Sequence, residues 1–228
     1  MDFPGLPSRL AAVRETVARC QASRGWSHPV RIVGVTKTHG PEAVRAAAAA
    51  GILDVGENRV QEALGKQEVL TDLTIRWHLV GTLQRNKARI AVGRFALIHS
   101  VDRVDLAADL NRRAPGSAPQ GVLVQVNCSA EPQKGGVSPE SLPGLLDELH
   151  GFERLRVQGL MTMSALTEDE AERRRAFRLL RDLRDAAVSS GHSLPELSMG
   201  MSDDYPIAVE EGATIIRLGT ALFGERSA

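Results

Sequence analysis

Lys37 closes an apolar run, VRIVGVTK, in which Val33, Val35 and Lys37 share one face of a period-two pattern. An amine at the end of such a face either stretches to solvent or is used chemically. Its characteristic chemistry is condensation with a carbonyl to give a Schiff base, which needs the neutral amine although lysine ordinarily titrates near ~10.4. Desolvation or a nearby cation lowers that value. One such cation, Arg217, stands inside another apolar run, TIIRLGT. GMSDDYP supplies the hydroxyl of Ser202, and RLGTALFG supplies Gly219 and Thr220, where a backbone without an obstructing side chain admits a phosphate-like anion. Asp203 and Asp204 must then point away from that anion. Ser202 also reads as a helix N-cap ahead of YPIAVEEG.

The elements that must position these groups follow from hydrophobic period. Eight short apolar runs read as strands: VRIVGVTK, ILDVGEN, RWHLVG, ALIHSVD, GVLVQVN, VQGLMTM, ELSMGMS and TIIRLGT. Helix-patterned segments alternate with them, among them PEAVRAAAAAG, opened by Pro41 and closed by Gly51, NKARIAVG, and a long segment from Glu168 to Gly191. RLAAVRETVARCQ adds a leading N-terminal helix. Alternation of this kind implies an α/β chain with parallel strands. Eight units in a chain of this length fit a single (β/α)8 TIM barrel over residues 1–228, with an open doubly wound sheet as the alternative.

A closed barrel places the eighth strand beside the first, which brings Arg217 towards Lys37. It also gathers the C-terminal strand ends at one rim, with phosphate commonly held by the loops after strands seven and eight. The other strand ends carry Glu57, Asn58, His78, Gly81, Ser100, Asp102, Asn127, Met161, Ser198 and Met199.

Composition removes several classes of function. The chain has 228 residues, 43% hydrophobic and 25% charged, and its 28 basic residues balance 28 acidic ones, so no bulk field recruits nucleic acid or an anionic membrane. The first residues lack a signal-peptide pattern and no apolar stretch approaches the ~20 residues of a membrane span, which gives a cytoplasmic expectation. Cys20 and Cys128 read as packed thiols, and the histidines and cysteines lack metal-ligand spacing. No Walker loop, dinucleotide fingerprint or nucleophile elbow is present.

The segments VGVTKTHG, DVGENRVQEAL, WHLVGTLQRNK, HSVD, VQVNCSAEPQKGGVSPE, VQGLMTM and LSMGMSDDYPIAVEEGATIIRLGTALFGER, in this order, resemble the pyridoxal phosphate homeostasis protein family. These are relatives of the alanine racemase barrel, of fold type III among proteins that bind pyridoxal 5'-phosphate (PLP). The resemblance implies that Lys37 holds PLP as a Schiff base, that Arg217 faces the pyridine nitrogen, and that Ser202, Gly219 and Thr220 hold the phosphate. It implies too that Asn58, His78 and Met199 line the ring. The function it implies is PLP homeostasis without efficient turnover, with delivery to PLP-dependent apoenzymes, binding of other B6 vitamers and a monomeric state as further expectations. The alternative is a PLP-dependent amino-acid racemase, whose second base the resemblance places on a tyrosine from an additional β domain. The one tyrosine here is Tyr205, read as core or rim packing.

Overall fold

Every apolar run forms a strand: β1 (Arg31–Val35), β2 (Asp54–Glu57), β3 (Arg76–Leu79), β4 (Leu97–Val101), β5 (Gln120–Gln125), β6 (Leu155–Met161), β7 (Glu196–Ser198) and β8 (Ile215–Leu218). The structure is a computed structural model that describes residues 3–116, 118–129, 131 and 134–225, so Ser117 of the loop RRAPGSAPQG lies outside the described residues. All neighbouring strands pair in parallel, in chain order. β8 returns to β1 with Val33 opposite Arg217 and Gly34 opposite Leu218, which closes the barrel and rules out the open sheet.

Parallel neighbours need crossovers, and helices supply them: α2 (Pro41–Ala49), α3 (Val60–Val69), α4 (Ala88–Ala91), α5 (Val104–Arg113), α6 (Leu142–His150), α7 (Glu170–Ser189) and α8 (Tyr205–Glu210). α1 (Leu6–Arg24) precedes the first strand and α9 (Thr220–Phe223) follows the last. Local chemistry sets their ends. Gly25 adopts φ +71° after α1, so its N–H reaches back to the carbonyls of Gln21 and Ala22. The Asp169 side chain accepts from Ala171 N–H at the start of α7. The segment NKARIAVG is less regular than its pattern suggests: a 3-10 turn, Arg85–Lys87, leads into the single turn of α4.

Strand alternation separates two cores. Outward residues such as Val55, Leu79, Ile98, Val122, Leu160, Leu197, Ile216 and Leu218 pack against helix residues including Ala43, Ala47, Leu106, Leu110, Phe177 and Leu180. Inward residues Val33, Leu97, Leu123, Met161 and Ile215 form a separate cluster inside the barrel. Full burial of each large aliphatic side chain contributes about 1.5–3 kcal/mol. Cys20 is buried and Cys128 half-buried, and burial raises both thiols, Cys128 to about 11, in keeping with packed, unreactive groups. Among the described residues no helix is long and apolar enough to cross a membrane, and no cluster of three or more His, Cys, Asp or Glu could hold a metal ion.

Candidate functional site

The C-terminal ends of the strands enclose a cavity of about 440 Å³, walled by Lys37, Asn58, Gln125, Ser202, Arg217 and Thr220 among others. Lys37 lies just past β1, in a turn closed by a hydrogen bond from His39 N–H to the Thr36 carbonyl (3.1 Å). Its side chain is exposed, and the ammonium has no hydrogen-bond or ion-pair partner among the described residues.

Arg217 comes from the inward face of β8 and is 5% exposed. It donates to Ser198 Oγ at 2.7 Å and to the Thr162 carbonyl at 3.0 Å. Burial pulls its pKa down to about 10, partly opposed by the Asp204 charge, so the guanidinium stays protonated at neutral pH. A buried cation held by two neutral acceptors has donor capacity to spare for a ligand.

The anion-suited corner is built by two loops. Ser202, from the loop after β7, accepts from Gly219 N–H (3.2 Å) and Ala221 N–H (3.1 Å) at the start of α9. It therefore caps α9 and not α8, whose preceding residue is Asp204. Asp204 is buried and turned into its own loop, accepting from Met201 N–H (2.6 Å) and Ser164 Oγ (2.5 Å). Asp203 does not turn away: it is exposed on the cavity wall. A Cβ placed on Gly219 would meet only the Val35 carbonyl, at 3.7 Å, so this corner opens into free space.

The structure thus brings together Lys37, Asn58, Ser202, Arg217, Gly219 and Thr220 on one cavity. Two residues predicted to join them stand elsewhere. Met199 is fully buried among the outward residues of the sheet, because it follows Ser198 in an extended chain and the alternation turns it towards the helices. His78 does point inward, but one layer below the cavity; two residues further along its chain, Val80 lines the wall instead. Gln125 and Met163 also line the cavity. Alternation from Leu123 and Met161 could have found both.

His78 belongs to a buried polar chain that crosses the barrel. Its Nε2 lies 2.9 Å from Asp54 Oδ1, its Nδ1 2.9 Å from His99 Nε2, and His99 Nδ1 2.9 Å from Ser198 Oγ, which meets Arg217. Arg217 can only donate and ionised Asp54 can only accept, so one set of tautomers satisfies every proton. Arg217 donates to Ser198, Ser198 to His99, His99 to His78, and His78 to Asp54. Any reversal leaves the Ser198 hydroxyl proton without an acceptor in this chain. Burial, reinforced by the charges near it, drives His99 well below the ordinary histidine value. Burial alone would resist ionisation of Asp54, but hydrogen bonds from His78 and Arg76 outweigh it and hold the carboxyl below the usual range.

A second cavity of about 420 Å³ lies at the opposite end, between α1 and the starts of β1 to β3. Its Arg31 and Arg76 are already paired with Glu196 and Asp54.

The closed eight-stranded parallel barrel finds its counterpart in a known family. The family profile described as alanine racemase, N-terminal domain, matches residues 9–227, and the chain belongs to that family. The fold is shared with alanine racemases: the enzyme from Clostridium difficile superposes with a TM-score of 0.76 at 14% identity, with 94% of this chain and 58% of that one covered. Within the family, the chain belongs to the pyridoxal phosphate homeostasis proteins. It is 43% identical to the Aquifex aeolicus pyridoxal phosphate homeostasis protein over 96% of this chain and 97% of that one. It is 46% identical to that of Pseudomonas aeruginosa over 95% of this chain and 92% of that one. The structure of PipY from Synechococcus elongatus with PLP bound superposes with a TM-score of 0.84 at 39% identity, covering 96% of this chain and all of PipY.

Proposed function

We propose that this chain, acting as one barrel domain, binds PLP in the cavity at the C-terminal rim and serves PLP homeostasis. The observation that carries the reading is the Lys37 amine, without a partner among the described residues, on a cavity shared with buried Arg217 and with Ser202, Gly219 and Thr220. When bound, PLP would supply an aldehyde able to condense with an amine, releasing water. Lys37 Nζ is the amine placed for that Schiff base. The two N–H groups that now meet Ser202, together with the Ser202 and Thr220 hydroxyls, suit a phosphate. Asn58 lines the same wall.

Arg217 is assigned to the pyridine nitrogen. A guanidinium that keeps its proton donates to that nitrogen and leaves it unprotonated, so the ring is a weak electron sink. Tyr205 does not line the cavity; it is half-buried against the barrel's outer core. Both features favour a reversible carrier of a reactive aldehyde over a racemase. Release to apoenzymes and binding of related B6 vitamers belong to this reading, as does a monomer, which sedimentation checks.

The test is the visible spectrum of the purified protein incubated with PLP, beside Lys37→Ala. A yellow band that borohydride fixes on Lys37, absent from the variant, is the expected result. No band in either protein overturns the reading. Racemisation of an amino acid that is lost in both Lys37→Ala and Tyr205→Phe would establish the enzyme instead.

A further inference from the structure

Lys37 is presented by a strained turn. In the four residues Thr36–His39 the third, Thr38, has φ +68°, and it is the one non-glycine residue with positive φ among the described residues. An L-residue with a branched Cβ is disfavoured there, and such a conformation persists only where the surroundings over-determine it.

The surroundings are a buried ion pair behind the strand. Lys66, on α3, and Glu57, the last residue of β2, have side chains 8% and 0% exposed, and Lys66 Nζ meets Glu57 Oε1 at 2.5 Å. Lys66 Nζ also donates to the Thr36 carbonyl at 2.8 Å, the same oxygen that accepts from His39 N–H. Thr36, itself fully buried, donates its hydroxyl to Glu57 Oε1 at 2.5 Å, and its N–H binds the Gly56 carbonyl at 3.1 Å. Every polar group of Thr36 is therefore fixed. The pair also leaves Glu57 Oε2 buried without a hydrogen-bond partner among the described residues.

Stability does not explain this arrangement. Buried ion pairs commonly do no better than apolar residues of the same volume, and an orphaned carboxylate oxygen makes this one worse. What the pair does provide is a point contact on the first carbonyl of the turn that carries Lys37, with Asn58 of the cavity wall joined directly to Glu57.

We propose that Lys66, supported by Glu57, is a positioning residue for Lys37: it clamps the strained turn so that the amine is held over the cavity. This rests on the reading of Lys37 as the PLP-binding amine. The clamp acts through backbone, so its removal affects how readily Lys37 reacts while leaving the amine in place.

The experiment compares PLP binding by wild type, Lys66→Met/Glu57→Gln, and the same pair of changes with Thr38→Gly. Changing both partners avoids a lone buried charge. Thermal melting reports folding, and the rate and affinity of yellow-band formation report Lys37. A folded Lys66→Met/Glu57→Gln protein is expected to form the band at least about tenfold more slowly or more weakly, within the roughly 100-fold that a 1 Å misplacement of a reacting group can cost. Thr38→Gly is expected to restore it to within about threefold, because glycine takes positive φ without strain and needs no clamp. Unchanged binding in Lys66→Met/Glu57→Gln overturns the proposal, and so does a loss that Thr38→Gly leaves uncorrected. Should that protein not fold, Lys66→Gln/Glu57→Gln takes its place under the same outcomes, since the shorter amide falls short of the Thr36 carbonyl. A wild type that forms no band would overturn the PLP reading itself; a normal wild type with a normal Lys66→Met/Glu57→Gln protein overturns the clamp alone.

Discussion

Ser198 serves two buried neighbours with one hydroxyl. It accepts from Arg217 and donates to His99, and all three side chains are buried. Ser198→Ala leaves a guanidinium N–H and an imidazole nitrogen unpartnered, an effect of about 1–3 kcal/mol on stability. Urea unfolding should show that loss, Ser198→Thr should recover part of it, and PLP should bind the alanine variant more weakly while borohydride still labels Lys37. Lys37 and Arg217 were legible in the sequence because each breaks an apolar run of strand period and each has a distinctive charge. That His78 and Met199 stand off the cavity wall was not legible. Period two tells which side of a sheet a residue faces only when the strand's phase is known, and it does not tell depth along the barrel. The polar chain was illegible for another reason: Asp54, His78, His99, Ser198 and Arg217 lie on five different strands, with no local spacing to connect them.

At the scale of elements, the loop after β7 and the start of α9 depend on each other through Ser202. Ser202→Ala strips the acceptor from Gly219 and Ala221 N–H groups, as loss of an N-cap does, at a cost of about 0.5–2 kcal/mol. The expected signature is a lower melting temperature without ligand and a larger upward shift when PLP is added, since a phosphate oxygen would fill the lost acceptor's role. An equal shift in both proteins would take the phosphate away from this corner. Gly81 tests the opposite wall: a Cβ there would stand 2.3 Å from the Asn58 carbonyl oxygen, backbone against backbone. Gly81→Ala should therefore displace the ends of β2 and β3, lowering stability and PLP affinity together in melting and titration. The eight strands and the long helices were legible because period and punctuation agree over many residues. α9 was not, since four residues carry no period, and NKARIAVG reads as one helix only because a 3-10 turn has a similar apolar spacing.

For the whole molecule, balanced surface charge hides an interior that responds to acid. His99 and Asp54 both bind protons more weakly in the fold than in the unfolded chain, the first chiefly because burial penalises the imidazolium, the second because its hydrogen bonds outweigh burial. As pH falls, the unfolded chain takes up each proton first, so stability is complete above the unfolded value and is lost below it. For His99 the loss begins near pH 6.5, and for Asp54 it adds a further decline below about pH 4, each at up to about 1.4 kcal/mol per pH unit. Urea unfolding between pH 8 and pH 4 should therefore show a plateau above neutrality and a slope that sets in through the histidine range. His99→Gln keeps a donor and an acceptor in the chain but cannot titrate. Whatever it does to the plateau, it should flatten the slope between pH 6.5 and pH 5. An unchanged slope would move the acid response to another histidine and remove His99 as the link between the barrel's interior and Arg217. A flattened one would mean that mild acid acts by favouring the unfolded chain, in which His99 is free to take up the proton that its buried place beside Ser198 and Arg217 refuses.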